Sequence, residues 1–493
     1  MLRVRKSGVG WAVAVALTAA TLTPAAPAVA RPAIDWGPCV EDTPGEDPPG
    51  EEAPAECGTL SLPVDWSRPA GERFELALAR RVATDPAARQ GSLVFGPGGP
   101  GDSGVDRVVN GSSRFSADLR RRFDIVSFDP RGTGASHPVR CSRELLGRQP
   151  QVIADQAQFD ATVANNALLR ADCRARTGAL YDHVDTMSAA RDLDAVRAAL
   201  GEPRLTFHGS SYGTLLGQRY AELFPGRVRA MVLEAAMDHS LGTRAFLDTQ
   251  AVTAEGAFDE FLDWCARSTD CALHGRDVRA IWAGLHDRAE RGALTDPDRA
   301  GAPLAAFELS RLAHKRLYDT WRWPGLAEWI GRLADDATVP TGTRLADDAV
   351  APYPFAVFCQ DWSLPVRDYR EYAGHLRRSA RLAPDLRYPP ALFAVVTCLG
   401  TPTPVANPQH RLRVRTDVPL VIAATVHDPA SGYGWARNVA RQLGWHGVLL
   451  TYHGWGHGSY TTSPCVRSAV DPYLLDQVVP GRGASCPAVQ PEG

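Results

Sequence analysis

The chain has 493 residues, with 53 Lys and Arg against 56 Asp and Glu and a formal net charge of −3 at pH 7. Charged residues make up 22% of it, so it has neither the basic footprint that nucleic-acid binding requires nor an acidic tail. Its length suits one catalytic domain with a sizeable insertion.

The amino terminus carries Arg3, Arg5 and Lys6, then an apolar run from about Val9 to Leu22, then Ala28-Val29-Ala30. This succession predicts a secretory signal peptide cleaved after Ala30, with a mature, secreted chain from Arg31. The run is short for a membrane anchor, and no later stretch approaches the roughly 20 apolar residues of a span. The first cysteine is Cys39, away from the cleavage point, which argues against lipid attachment. Ten cysteines form an even set with no C-x-x-C pair, and in an exported chain that favours disulfides over a metal site. Sequential pairing (Cys39–Cys57, Cys141–Cys173, Cys265–Cys271, Cys359–Cys398 and Cys465–Cys486) is compatible with a fold of consecutive units, although spacing alone leaves connectivity open.

After an acidic, Pro-rich stretch from Glu41 to Pro54, Thr59–Val64 and Arg73–Val82 alternate as two early antiparallel strands. Short continuous apolar runs follow at Leu93–Phe95, Ile125–Phe128, Leu205–Phe207, Ala230–Leu233, Leu420–Ala423 and Val448–Leu450. Such runs predict parallel strands buried on both faces, hence an α/β fold with a mostly parallel central sheet. Thr186 can cap a helix that ends at Gly201 and spaces Ala190, Leu193, Val196, Ala199 and Leu200 helically.

The interval between Leu233 and Leu420 is too long for a loop. Helical patterns at Ala257–Ala266, Asp277–Arg288 and Ala327–Ala334 predict a large, mainly helical cap over residues 241–405. Residues 31–240 and 406–493 are then the two parts of the core. Thr401-Pro402-Thr403-Pro404 marks the cap's exit as a stiff, extended connection.

The strand Leu205–Phe207 runs into Gly209-Ser210-Ser211-Tyr212-Gly213 and a helical pattern, the strand–turn–helix setting that Gly-x-Ser-x-Gly requires. Ser211 is the candidate nucleophile, because a serine hydroxyl must be lifted onto a tight turn beside a base to react. Upstream, Phe95 opens into Gly96-Pro97-Gly98-Gly99-Pro100-Gly101. There, backbone N–H groups can stabilise an oxyanion, with Gly99 and Tyr212 as the expected donors. The same stretch fits G-x-G-x-x-G, but Pro100 lacks an N–H and no helix is expected at Gly101, which disfavours a dinucleotide site. The later strand Leu420–Thr425 leads to Asp428, the candidate acid. The strand ending near Tyr452 leads to His457 between two glycines, the candidate base, with His453 as its nearest rival. His208 is expected to pack against the site. Asp129 and Arg131 are expected to tie loops together by hydrogen bonds. Glu234, at a strand end, either binds a free peptide amine or anchors a loop.

With these residues in place, the chain resembles the secreted tripeptidyl-aminopeptidase family of α/β-hydrolases, relatives of the prolyl iminopeptidases. The likeness covers most of the mature chain. It rests on Gly96–Gly101, Asp129–Ser136, Gly209–Thr214, Trp323–Ala327, Cys359-Gln360-Asp361-Trp362, and Gly456-His457-Gly458 followed by Cys465 and Cys486. It implies an α/β-hydrolase that releases short peptides from free amino termini, with Ser211, Asp428 and His457 as its triad and peptides as its partners. No metal or organic cofactor is implied. Such enzymes often carry Asn where this chain has Gly96, and Asp-Gly where it has Glu234-Ala235. The first difference bears on support of the oxyanion loop and the second on amine recognition. A carboxylesterase using the same machinery is the alternative.

Overall fold

The computed structural model describes residues 1, 2, 8, 34–39, 53–111, 114–299, 301–335 and 349–491. The chain divides into two units, Met1–Arg31 and Pro32–Gly493. The charged residues, apolar run and cleavage site expected of a signal peptide lie outside the described residues.

In the second unit the described strands are β1 (Gly37–Pro38), β2 (Glu56–Pro63), β3 (Arg73–Arg81), β4 (Gly91–Gly96), β5 (Phe123–Phe128), β6 (Arg140–Ser142), β7 (Leu205–Ser210), β8 (Val228–Glu234), β9 (Val350–Pro352), β10 (Leu420–His427), β11 (Gly447–Trp455) and β12 (Ser485–Cys486). Ten of them form one sheet in the order β1-β2-β3-β5-β4-β7-β8-β10-β11-β12. The pairs from β1 to β5 are antiparallel, and those from β5 through β4 to β12 are parallel. Successive side chains on a strand point to opposite faces. Leu420, Ile422 and Ala424 therefore join the cluster containing Val94, Met231 and Leu233. Val421 and Ala423 join the one containing Leu93, Phe95, Ala230 and Val232. Both faces are buried, which is why these strands read as unbroken apolar runs.

The helix Thr186–Ala199 is capped by Asp185, not Thr186: the Asp185 carboxylate accepts from Ser188 N–H, and the Thr186 hydroxyl donates to Asp361 instead. Gly201 follows that helix with φ +78°, a left-handed conformation suited to glycine. Arg131 forms a fully buried pair with Asp192, both contacts at 2.6 Å, while the Asp129 carboxylate accepts from Ser103, Val105 and Ala135. Both residues thus tie loops together. The five sequential disulfides are all present.

Between β8 and β10 the chain is mainly helical and contributes to two cores. The helices Thr243–Arg267, Val278–Glu290, Ala306–Arg316 and Trp323–Ala334 bury Phe258, Trp282, Trp323 and Trp329 in a second cluster, which Leu386 and, from β11, Trp455 also join. The helices Phe355–Asp361 and Ala391–Cys398, joined by Cys359–Cys398, place Phe358 and Val395 in the cluster that also covers the sheet. β9, from this same interval, pairs with β6.

Candidate active site

β7 ends at Ser210 and a helix begins at Gly213. Between them Ser211 has φ +54°, a left-handed conformation that costs a non-glycine residue about 1–3 kcal/mol and persists only where neighbours over-determine it. Here the Ser211 N–H donates to Glu234 O at 2.9 Å, and the Thr214 N–H and hydroxyl donate to Ser211 O at 2.9 and 2.6 Å. The flanking glycines are steric requirements. A Cβ on Gly209 would lie 2.6 Å from Gly213 O, and one on Gly213 would lie 2.2 Å from Gly96 O.

The loop after β4 passes over the serine: a Cβ on Gly98 would lie 3.1 Å from Ser211 Cβ. Gly99 has φ +103° and lines the same cavity as Ser211. Gly96 itself admits nothing larger, because its Cβ would meet Phe207 Cζ at 2.3 Å; Phe207 fills the space that an Asn there would need. No helix opens at Gly101, in line with expectation: the short helix Gly104–Val109, capped by Ser103, starts beyond the last glycine of the motif. Tyr212 is the N-cap of the helix Gly213–Leu223. Its backbone N–H makes no hydrogen bond among the described residues, and at the positive end of the helix dipole it can serve a developing oxyanion.

Asp428 follows β10 and is buried. Its Oδ1 accepts from the N–H groups of Ala430 at 2.8 Å and Ser431 at 3.0 Å, and from His457 Nδ1 at 2.9 Å. Gly456 and Gly458, with φ +99° and +108°, let the chain turn around His457. The His457 N–H donates to Tyr318 O at 2.7 Å, and the Tyr318 ring centroid stands 4.8 Å from the imidazole. Burial opposes a charge on His457, but the Asp428 carboxylate outweighs it and holds the imidazole above its ordinary pKa. With Nδ1 bonded to Asp428, Nε2 is left for proton transfer. His453 is exposed on β11, outside the cavity lining.

Glu234 is fully occupied by the protein. Its Oε1 accepts the N–H groups of Ser459 at 2.8 Å and Tyr460 at 2.7 Å. Its Oε2 pairs with Arg114 and lies 3.3 Å from His208 Nε2. Burial opposes its charge, yet these partners hold the carboxyl well below the usual range. Of its two expected roles, the structure supports loop anchoring and corrects amine binding: Glu234 clamps the turn that carries His457. Arg114 stands in no motif, so nothing in the sequence pointed to it. His208 sits buried among Phe95, Phe115 and Tyr460 rings. Replacing Glu234 with Gln leaves Arg114 without its anion. It should cost about 3–5 kcal/mol of stability and lower kcat as the His457 turn loosens, read by denaturant melts and steady-state kinetics. Unchanged stability would overturn this account.

Ser211, His457 and Gly99 open into one cavity of about 1130 Å³, whose walls include Phe246, Phe307, Tyr318, Phe355 and Phe393. The carboxylates lining it are Asp102, Glu308 and Asp319, each beside an arginine: Arg107 at 3.0 Å, Arg311 at 2.6 Å and Arg322 at 3.0 Å. Among the described residues no cluster of three or more His, Cys, Asp or Glu could hold a metal ion, and no helix is long and apolar enough to cross a membrane.

The chain belongs to the α/β-hydrolase fold family, which its residues 91–383 match, and it is a serine hydrolase. Residues 390–486 match a second family, described as TAP-like protein, in keeping with the tripeptidyl-aminopeptidase resemblance. It is similar to serine protease Hip1 of Mycobacterium tuberculosis, at 32% identity over 94% of this chain and 92% of that protein. It is similar as well to the tripeptidyl aminopeptidase of Streptomyces lividans, at 30% identity over 94% and 88%. Carboxylesterase B of M. tuberculosis is 33% identical over 94% and 92%.

Proposed function

We propose that the chain is an exported serine exopeptidase that releases short peptides, tripeptides above all, from free amino termini. The observation that carries this reading is that His457, bonded to the buried Asp428, shares one cavity with the strained Ser211. The relatives named tripeptidyl aminopeptidase and serine protease support it further. Nε2 of His457 takes the Ser211 hydroxyl proton as Oγ attacks the amide carbonyl, and the N–H groups of Gly99 and Tyr212 hold the oxyanion. The proton then passes to the leaving amine, and water deprotonated by His457 hydrolyses the acyl-enzyme and restores Ser211. Asp428 orients the imidazole and stabilises its charged form. Residues 241–405 act as a cap that restricts access to chain ends. The amino-terminal signal pattern and five disulfides support export, since such bonds persist in oxidising compartments.

Glu234 is buried and absent from the cavity wall, so amine recognition falls to a carboxylate that does line it: Glu308, whose own partners Arg311 and Arg299 are partly exposed and can yield to an ammonium group. Glu308 lies eight residues before Arg316 on the helix Ala306–Arg316, about 12 Å along the axis. The chain then continues to Tyr318, which touches His457. An extended tripeptide acyl group spans about 10 Å. Glu308→Gln should raise KM for a free-amino tripeptidyl amide by about 10- to 100-fold, the loss of one charge-assisted hydrogen bond, and leave short-chain ester hydrolysis unchanged.

The deciding experiment compares four substrates: a free-amino tripeptidyl chromogenic amide, its N-acetylated twin, a proline amide and a short-chain ester. Cleavage of the free tripeptide amide but not its acetylated twin is the expected result. Cleavage of the ester alone would favour the carboxylesterase reading, to which the relative of that name lends support.

A further inference from the structure

Asp361 is a buried carboxylate that the proposed reaction does not use. It stands at the end of the helix Phe355–Asp361, is 0% exposed, and makes no ion pair among the described residues. Its Oδ1 accepts from Thr186 N–H at 2.8 Å and Asn407 Nδ2 at 2.9 Å. Its Oδ2 accepts from the Thr186 hydroxyl at 2.5 Å and the Tyr212 hydroxyl at 2.6 Å. Burial pushes its pKa up to about 6, so four neutral donors hold an anion in a place that disfavours charge.

The position of this anion joins three parts of the fold. Tyr212 directly follows the strained Ser211, and its N–H is the expected oxyanion donor. Thr186 opens a helix that packs on the sheet, and Phe355 and Phe358, from Asp361's own helix, line the cavity. The Phe358 ring lies 6.3 Å from that of Tyr212. A left-handed serine turn needs restraint from several sides. Glu234 and Thr214 supply it through hydrogen bonds to the Ser211 backbone, and Asp361 supplies it through the phenol of the next residue.

We propose that Asp361 is a positioning residue for the oxyanion hole: by accepting the Tyr212 hydroxyl it fixes the residue whose N–H meets the developing oxyanion. This rests on the Ser211 acyl-enzyme reading but not on the choice between peptide and ester. Oxyanion donors act mainly on the transition state, and losing one outright costs about 100- to 1000-fold in kcat. A donor that is displaced and still present should cost less.

The test uses Asp361→Asn, Tyr212→Phe and the double variant in the full chain, on whichever substrate the wild type turns over best. Each single change should lower kcat by about 10- to 100-fold with KM within twofold. The inhibition constant of an alkyl boronic acid, whose tetrahedral adduct presents an oxyanion, should rise in parallel. The double variant should be no worse than the poorer single one, because both changes remove the same contact. Tyr212→Phe deletes only a hydroxyl and keeps the test alive if Asp361→Asn does not fold. Wild-type kcat in a folded Tyr212→Phe, additive losses, or a rise in KM without a fall in kcat would each overturn the proposal. If Ser211→Ala retained activity, the acyl-enzyme reading would fail instead, and that result is separately visible.

Discussion

Ser211→Ala should lower kcat by about a millionfold, the scale seen when a serine nucleophile that acts as a unit with its base is removed. Measured with the amide and the ester alike, the loss should be common to both, since one hydroxyl attacks either carbonyl. Stability gives an independent check, because Ser211 sits at φ +54°. Alanine meets the same clash between Cβ and backbone as serine, so its melting temperature should stay near that of the wild type. Glycine escapes the clash, and Ser211→Gly should gain about 1–2 kcal/mol against the usual penalty for glycine. An inactive Gly variant more stable than the Ala variant would locate both the chemistry and the strain at one residue. Residual activity within a hundredfold of wild type would remove Ser211 from the reaction.

The parts of this fold that were legible in the sequence are those encoded locally. Six apolar runs mark strands because parallel strands covered on both faces have no polar alternation to hide them, and all six lie in the sheet. The serine turn is legible because Gly209 and Gly213 are steric necessities at fixed offsets from Ser211. Disulfide pairing followed chain order, since each bridge closes a stretch of 6 to 39 residues. The rest depends on contacts between distant segments. Arg114 reaches Glu234 across 120 positions, and Tyr212 reaches Asp361 across 149, with no periodicity to announce either. Glu234 shows why a strand-end carboxylate is ambiguous in a sequence: its role is decided by Ser459, Tyr460, His208 and Arg114, which arrive from three other places. The Thr186 cap erred by one residue for a related reason, since Asp185 and Thr186 both carry capping oxygens and only Asp361 decides which is engaged elsewhere.

Asp428→Asn should lower kcat by about 10⁴-fold, or about 5.5 kcal/mol of transition-state stabilisation, since an amide can neither enforce the Nδ1–H tautomer nor balance an imidazolium. The pH dependence supplies the sign. His457 must be neutral to accept the Ser211 proton, and its pKa is held above the ordinary imidazole value of about 6.5. Wild-type kcat/KM should therefore fall as pH drops through a midpoint above about 6.5. Burial lowers this pKa, and the Asp428 charge more than offsets it, so the residual activity of Asp428→Asn should titrate at a lower pH than the wild type. Stability moves the opposite way. A histidine raised in the folded state adds stability below its unfolded pKa and loses it as pH rises through the folded one. The wild type should thus exceed Asp428→Asn in stability by more at pH 6 than at pH 9. An unmoved activity midpoint, with an equal stability gap at both values, would mean that Asp428 does not set the charge of His457 and that another group orients the base.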